Sequence, residues 1–502
     1  MDATTYDMLV IGGGINGTGI ARDAAGRGLK VLLCERGDLA EFTSSSSTKL
    51  IHGGLRYLEY YEFRLVREAL AERERLLAQA PHIIWPLSFV LPHDEGLRPA
   101  WMLRLGLFLY DHLARLRTLP GSRSVRLRTS ALGAPLQPRL TKGFTYSDCW
   151  VEDSRLVVLN AMDARERGAV VRTRTAVESA RREGGAWVAA IRDVGTGRTE
   201  TVRAATVVNA AGPWVSETLG GTLGIDSRAA VRLIKGSHIV VRKLYEGDQA
   251  YILQQPDKRI VFAIPYERDF TLVGTTDVPY ESEPGPVTIS PDETAYLCAC
   301  INRSFAGSIG PDDVVWSFSG VRPLFDDAAE SASAVTRDYV LDVSDRDGAL
   351  PVLSVFGGKI TTYRRLAEHA IEKLAGYLPG LKPAWTAAGK LPGGDMRDAD
   401  FERFLADLKA RKPFLPPAMA RRLARAYGTR AERLLGPARS LADLGERFGD
   451  DLTAAEVDYL VAEEWAREPH DILWRRSKLG LRIPPEGRAR LAAYVERRSA
   501  AA

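Results

Sequence analysis

The sequence predicts an α/β protein with a parallel sheet near its N-terminus, a β-rich middle and a separate helical domain at its C-terminus. Three observations carry this. Residues 8–35 read strand, glycine turn, helix, strand. Residues 231–343 alternate short β-rich segments with turns. Beyond Pro383, apolar residues recur at helical spacing.

The elements follow in order. Met8-Leu9-Val10-Ile11 is an apolar run suited to a buried parallel strand. Gly12-Gly13-Gly14-Ile15-Asn16-Gly17 breaks it, and a small-residue helix through Ala21, Ala24 and Ala25 stops at Gly28. Leu29–Cys34 is a second strand, ending at Glu35. Residues 62–79 read as a charged helix, and 81–150 are mixed with a basic stretch. Val170 to Ala211 reads as strands and hairpins, closing on the buried run Thr206–Ala210. Cys298 and Cys300 fall in a helix with no zinc set nearby, so they pack in a core. Phe356-Gly357-Gly358 leads into a helix over 361–374. In the last region Phe401, Phe404, Leu405 and Leu408 share a helix face, and Thr453-x-x-Glu456 reads as a capping box.

Composition narrows the function. A chain of 502 residues allows two to three domains. At 45% hydrophobic and 26% charged it is an ordinary globular protein rather than a disordered one. A net charge of +4 is too mild to argue for nucleic acid. Four cysteines make no disulfide framework, which points to a reducing compartment. Met1–Asp7 has neither a basic nor an apolar signal region, and no apolar run is long enough to span a membrane. No metal-ligand set, G-x-S-x-G elbow or Walker loop appears.

Gly12-x-Gly14-x-x-Gly17 is the dinucleotide fingerprint in its required strand–turn–helix context. Gly12 permits the turn, Gly14 lets backbone approach a pyrophosphate, and Gly17 lets helix pack on strand. The helix N-terminus offers free N–H groups to phosphate, and Glu35 suits ribose hydroxyls. The fingerprint alone serves NAD or FAD. The serine tract Thr43–Thr48 reads either as a flexible linker or as small hydroxyls lining a flavin. Asn209-Ala210-Ala211-Gly212 ends a strand in small residues, and Gly357-Gly358-Lys359 opens a helix whose N-terminus would face negative charge.

These segments together, with Lys49–Leu58, Phe144–Trp150, Leu233–Val241 and Ser319–Leu324, resemble the FAD-dependent glycerol-3-phosphate dehydrogenases, most closely the bacterial aerobic, respiratory kind. The similarity covers almost the whole chain. It implies a glycine-oxidase-type fold: a Rossmann-like FAD-binding domain in pieces (1–80, 151–230 and 335–385), an inserted, mainly antiparallel β-sheet substrate domain (81–150 and 231–334), and an all-helical domain over 386–502. It implies oxidation of sn-glycerol 3-phosphate to dihydroxyacetone phosphate by hydride transfer to FAD, with electrons passed to membrane quinone. A glycerol-3-phosphate oxidase that reduces oxygen to peroxide is the alternative. The implied place is cytoplasmic, peripheral on the inner face of the cytoplasmic membrane, and the family suggests a homodimer.

The resemblance also implies site residues. FAD contacts fall on Gly12, Gly14, Gly17, Glu35, Thr43, Ser44, Ser45, Lys49, Leu50, His52, Gly53, Val177, Ala211, Gly212, Gly357, Gly358, Lys359 and Thr361. Arg56, Tyr57, Arg322, Arg337 and Lys359 match the substrate side, where a guanidinium fork suits phosphate. His238, Arg322 and Lys359 are the catalytic candidates. His238 is the expected base, because a neutral imidazole works near pH 7, with His52 its rival.

Residues 98–128 make a further expectation. A helix opens near Pro99, with Met102, Leu105, Leu109, Leu113 and Leu116 on one face. Arg98, Arg104, Arg115, Arg117, Arg123, Arg126 and Arg128 stand against Asp111 alone. An apolar face with Trp and Phe beside a cationic rim suits a helix lying on an anionic membrane, although core helices share the same period.

Overall fold

The computed structural model describes residues 4–94, 97–114, 118–226, 231–325 and 338–500. Two large sheets organise it. In the first, strand Thr5–Ile11 is central and pairs in parallel with Val31–Cys34 on one side and Thr199–Asn209 on the other. Val170–Arg172 and Ala349–Phe356 extend the parallel arrangement outward, and Val340–Arg346 closes one edge antiparallel. The hairpin Thr175–Glu183 and Ala186–Asp193 attaches antiparallel to Thr199–Asn209. Met8, Val10, Val31 and Leu33 are wholly buried, as parallel strands covered on both faces require. Helices Ile15–Gly26, Asp153–Glu166 and Tyr363–Leu374 pack together over one face.

The second sheet is mainly antiparallel. Its order runs Val278–Pro279, Val231–Arg242, Phe270–Gly274, Ile260–Tyr266, Ala250–Gln254, Ile84–Pro92, Lys142–Val151 and Leu50–Ile51. Val314–Phe325 pairs with Val231–Arg242 along most of its length. Leu50–Ile51 therefore belongs to this sheet although it lies inside the expected first piece, 1–80. Helix Phe63–Gln79 forms where the charged helix was expected, and both Cys298 and Cys300 are buried in helix Pro291–Ser304.

The C-terminal region is helical, with Phe401–Arg411, Pro417–Tyr427, Ala454–Glu464 and Pro485–Ala500 around its own apolar core. One expectation fails here. Thr453 is the N-cap of Ala454–Glu464, but its side chain makes no cap bond. Glu456 is instead drawn to Arg422 (2.6 and 2.7 Å) and to the Tyr427 hydroxyl (2.7 Å). A buried carboxylate gains more from a guanidinium than from one backbone N–H. The capping box that does form is Ser290 with Glu293.

Helix Ala100–Leu113 begins one residue later than expected, with Pro99 as its N-cap. Leu107 and Tyr110 point inward, while Trp101, Met102, Leu105 and Phe108 stay exposed. Leu116, Arg115 and Arg117 lie outside the described residues, as does Arg337.

Candidate active site

The glycine turn is fixed by contacts that leave no room for side chains. A Cβ on Gly12, at φ +110°, would lie 2.5 Å from the Ala210 carbonyl oxygen, and one on Gly17 would lie 1.9 Å from the Gly12 oxygen. Gly14 differs: its nearest neighbour would be Ser44 Oγ at 3.1 Å, so its open side faces a cleft. Glu35 accepts hydrogen bonds from Gly13 N (2.6 Å) and Gly37 N (2.7 Å). Burial pushes its pKa up, and those two N–H groups oppose the rise. The cleft is a cavity of about 240 Å³ lined by Gly12, Gly14, Glu35, Thr43 and Ser44, with Val177, Ala211 and Gly212 opposite.

The serine tract is ordered rather than a loose linker. Thr43–Ser45 forms one 3₁₀ turn, Ser44 Oγ accepts from Ile15 N (3.0 Å), and Thr43 Oγ1 donates to Val321 O (2.7 Å). This turn joins the first sheet's helix to the second sheet's strand Val314–Phe325. The Lys49 ammonium is engaged by protein groups. Its Nζ is fully buried, paired with Asp153 (2.8 and 2.9 Å) and bonded to Ser45 O (3.0 Å). The Leu50 side chain likewise lies in the core with Val66, Leu87 and Trp150. What these two residues supply to the site is backbone placement, because their side chains are spent elsewhere.

In the first turn of the glycine helix, Asn16 Nδ2 donates to Gly357 O (3.1 Å), and a Cβ on Gly358 would meet the same side chain at 3.1 Å. Gly357 and Gly358 both take positive φ there, +77° and +103°. His52 N donates to Thr361 Oγ1 (3.3 Å), which ties the 50s loop to the same turn. Gly53 N donates to the Tyr110 hydroxyl (2.7 Å), and that hydroxyl donates to Asp148 (2.8 Å). Asp148 in turn accepts from Arg73 (2.6 Å).

Of the substrate-side candidates, Lys359 and Tyr57 meet directly. The Lys359 ammonium sits 3.8 Å from the centre of the Tyr57 ring. Arg56 lies in the adjoining turn Leu55–Tyr60. Arg322 Nη2 donates to Thr276 O (2.8 Å) and pairs with Asp277 (2.9 Å). His238 is 2% exposed, on the strand that pairs with both Val314–Phe325 and Phe270–Gly274. Its Nε2 is 3.0 Å from Thr48 Oγ1, and its Nδ1 is buried with no hydrogen-bond partner among the described residues. Burial, then the Lys49 and Arg322 charges, hold its pKa well below the ordinary histidine value. His52 is lowered too, chiefly by burial, against the pull of Asp148.

Sequence reasoning missed Asn16, Thr48, Asp148, Asp277 and Glu293. Glu293 accepts from Ser237 Oγ (2.8 Å) and Thr276 Oγ1 (2.7 Å) and pairs with Lys235 (2.8 Å), behind Arg322. Asn16 and Asp148 lie inside quoted motifs, but their partners are far away along the chain.

The arrangement fits a large dinucleotide. Gly14 presents bare backbone to the cleft, and two buried polar atoms, Asn16 Oδ1 and His238 Nδ1, have no partner among the described residues. No helix among the described residues is long and apolar enough to cross a membrane.

Comparison with known proteins agrees. Residues 7–364 match the FAD dependent oxidoreductase family, and residues 384–497 match the C-terminal domain of alpha-glycerophosphate oxidase. A glycerol-3-phosphate dehydrogenase of Pseudomonas aeruginosa is 55% identical over 98% of this chain and 96% of its own. A D-erythritol 1-phosphate dehydrogenase of Brucella abortus is 53% identical over 98% and 97%. The FAD complex of glycerol-3-phosphate dehydrogenase from Bacillus halodurans superposes with a TM-score of 0.74 at 29% identity, over 95% of this chain and 86% of that one. With its glycine-turn sheet, its antiparallel second sheet and its helical C-terminal domain, this chain belongs to the FAD-dependent oxidoreductases, in the group of the FAD-dependent glycerol-3-phosphate dehydrogenases.

Proposed function

We propose that the enzyme oxidises sn-glycerol 3-phosphate to dihydroxyacetone phosphate and passes the electrons to membrane quinone. The observation that carries the reaction is a neutral, buried His238 under the charge of Arg322, with the Lys359 ammonium held over the Tyr57 ring. Gly12, Gly14, Gly17 and Glu35 would hold the adenosine and pyrophosphate end of FAD. Thr43, Ser44, Ser45, His52, Gly53, Thr361 and the Gly357–Lys359 turn would surround the flavin end. FAD when bound supplies the two-electron acceptor for the carbinol hydrogen.

The residues of the chain do the rest. Arg322 and Lys359, with Arg56, neutralise the phosphate dianion, and Asp277 holds the Arg322 fork at its angle. In the tautomer protonated at Nε2, His238 donates to Thr48 Oγ1, 3.0 Å away, and the Nδ1 lone pair is left to take the C2 hydroxyl proton. Arg337 belongs to the same proposed substrate set but lies outside the described residues. Single-turnover reduction of the flavin by glycerol 3-phosphate tests the reading; a holoenzyme that stays oxidised overturns it. Because a 53% identical relative is a D-erythritol 1-phosphate dehydrogenase, that tetritol phosphate is the second substrate to compare, by kcat/KM.

The quinone reading rests on a surface. Among the described residues ten large apolar side chains are exposed, and seven of them (Tyr60, Tyr61, Phe63, Trp101, Met102, Leu105 and Phe108) lie on helix Ala100–Leu113 and the two elements packed on it. Trp101 is 68% and Tyr61 81% exposed. A patch of this kind beside exposed Arg123, Arg126 and Arg128 suits an anionic bilayer. We place the enzyme on the inner face of the cytoplasmic membrane on this ground. Peroxide formed per turnover separates the quinone reading from the oxidase reading.

A further inference from the structure

A second cavity, of about 580 Å³, lies where the second sheet meets the C-terminal helical region. It is far larger than the space a few ordered waters fill, and its size matches a metabolite. Trp85 and Trp150 form one wall, Phe270 and Thr271 another, and helix Pro417–Tyr427 with the segment Arg475–Leu479 closes it. Nothing in the reaction described above uses it.

Its cations are of two kinds. Arg155, Arg421, Arg422, Arg475 and Arg476 are each paired with carboxylates. Arg425 and Lys478 have no ion pair among the described residues. Arg425 Nη1 donates to Pro81 O (3.0 Å) and His82 O (3.3 Å), and the guanidinium lies over the Trp85 ring at 4.4 Å. Among the described residues its Nε and Nη2 make no hydrogen bond. Lys478 Nζ donates to Trp474 O (2.5 Å) and Ser154 Oγ (3.4 Å). Both pKa values are depressed mainly by burial, Arg425 to about 9 and Lys478 to about 8, against the opposing pull of Glu402 and Glu152 on the first and of Asp153, Glu152 and Glu267 on the second. Of the acids on the wall, Glu402 is held by Arg421 and Glu152 accepts from Trp150 Nε1. Glu267 is pushed up to about 7 by burial and Glu152, so near neutral pH it is readily protonated and able to donate.

We propose that this cavity is a second binding site, distinct from the flavin site, for a small organic oxyanion whose head group is held by Arg425 and Lys478 against the Trp85 ring. A guanidinium with two unused N–H directions and an ammonium on the wall of the same cavity take a tetrahedral phosphate or a carboxylate equally well by charge. The two head groups are therefore two sources of the same chemistry. Arg425 is the anchor, because helix Pro417–Tyr427 offers it directly to the ring wall.

Titration of the FAD-loaded enzyme with inorganic phosphate, and separately with succinate, tests this by tryptophan fluorescence. The expected result is a saturable change with at least one anion, absent in Trp85→Phe. Arg425→Gln weakens it at least tenfold, and Arg425→Lys retains it. The tighter anion names the head group. Neither substitution alters KM for glycerol 3-phosphate, which separates this site from the catalytic one. No saturable, Trp85-dependent change with either anion up to ~10 mM overturns the proposal, as does unchanged affinity in a folded Arg425→Gln enzyme. The wild-type and Trp85→Phe titrations decide the matter even if Arg425→Gln fails to fold.

Discussion

His238 lies face to face on Phe318, ring centroids 4.7 Å apart and planes 15° apart, across an antiparallel pair of strands. On its other side a Cβ at Gly274 would come within 2.1 Å of His238 Cδ2, so the imidazole is held from both faces. An imidazole so confined keeps one orientation. With a pKa well below the ordinary value it stays neutral through the physiological range.

This fixes a kinetic prediction. His238→Ala is expected to slow flavin reduction in single turnover by ~100-fold, the usual loss for a general base. Because the neutral form is the active one and its pKa is lowered, the wild-type rate should be flat above pH 6.5 and fall only on the acid side of it. A rate within a few-fold of wild type moves the role to His52.

Arg322→Ala should keep FAD and lose phosphate affinity. Breaking a desolvated charge contact costs about 2–5 kcal/mol, roughly 30-fold or more in KM for glycerol 3-phosphate. Steady-state kinetics beside a flavin absorbance spectrum make the check, and an unchanged KM would reduce Arg322 to a partner of Asp277.

Gly14→Val puts two methyl groups where only backbone faces the cleft. We expect protein purified with less than about a tenth of the wild-type flavin, folded by circular dichroism. Full flavin content would refute the fingerprint reading.

Lys49→Met leaves Asp153 buried without its cation. Such a loss costs about 3–5 kcal/mol. Thermal unfolding should shift down by roughly 10 °C. Asp153 also accepts from Ser47 Oγ (2.7 Å), so the serine turn should loosen and bound FAD should exchange faster.

Trp101→Ser with Phe108→Ser removes two exposed rings from one helix. Loss of bilayer contact of about 1.5–3 kcal/mol for each should weaken binding to anionic liposomes by roughly 100-fold or more. Reduction of a soluble dye should survive while quinone-linked respiration falls. Undiminished liposome binding would place the contact elsewhere.

How much of this was legible in the chain depends on range. Gly12, Gly14 and Gly17 act within a single turn, so their spacing is enough. The helix over 63–79 and the buried strands announce themselves by period. Two S/T-x-x-E patterns show the limit. Ser290 and Glu293 form a capping box, whereas Thr453 and Glu456 do not, because Arg422 arrives from another helix and outbids the backbone. The Lys49 ammonium shows the same limit: it pairs with Asp153, 104 positions away. Asn16 reaches Gly357 across 341 positions, which no local pattern encodes.

Helix Ala100–Leu113 has one further consequence. Its outer side carries Trp101 and Phe108, and its inner side carries Tyr110, whose hydroxyl holds Gly53 N and Asp148. The helix is thus a strut as well as the proposed membrane face. Anyone excising it to abolish that proposed contact would unclamp the 50s loop too. Solubility has to be engineered from the outward residues alone, with Tyr110 left in place.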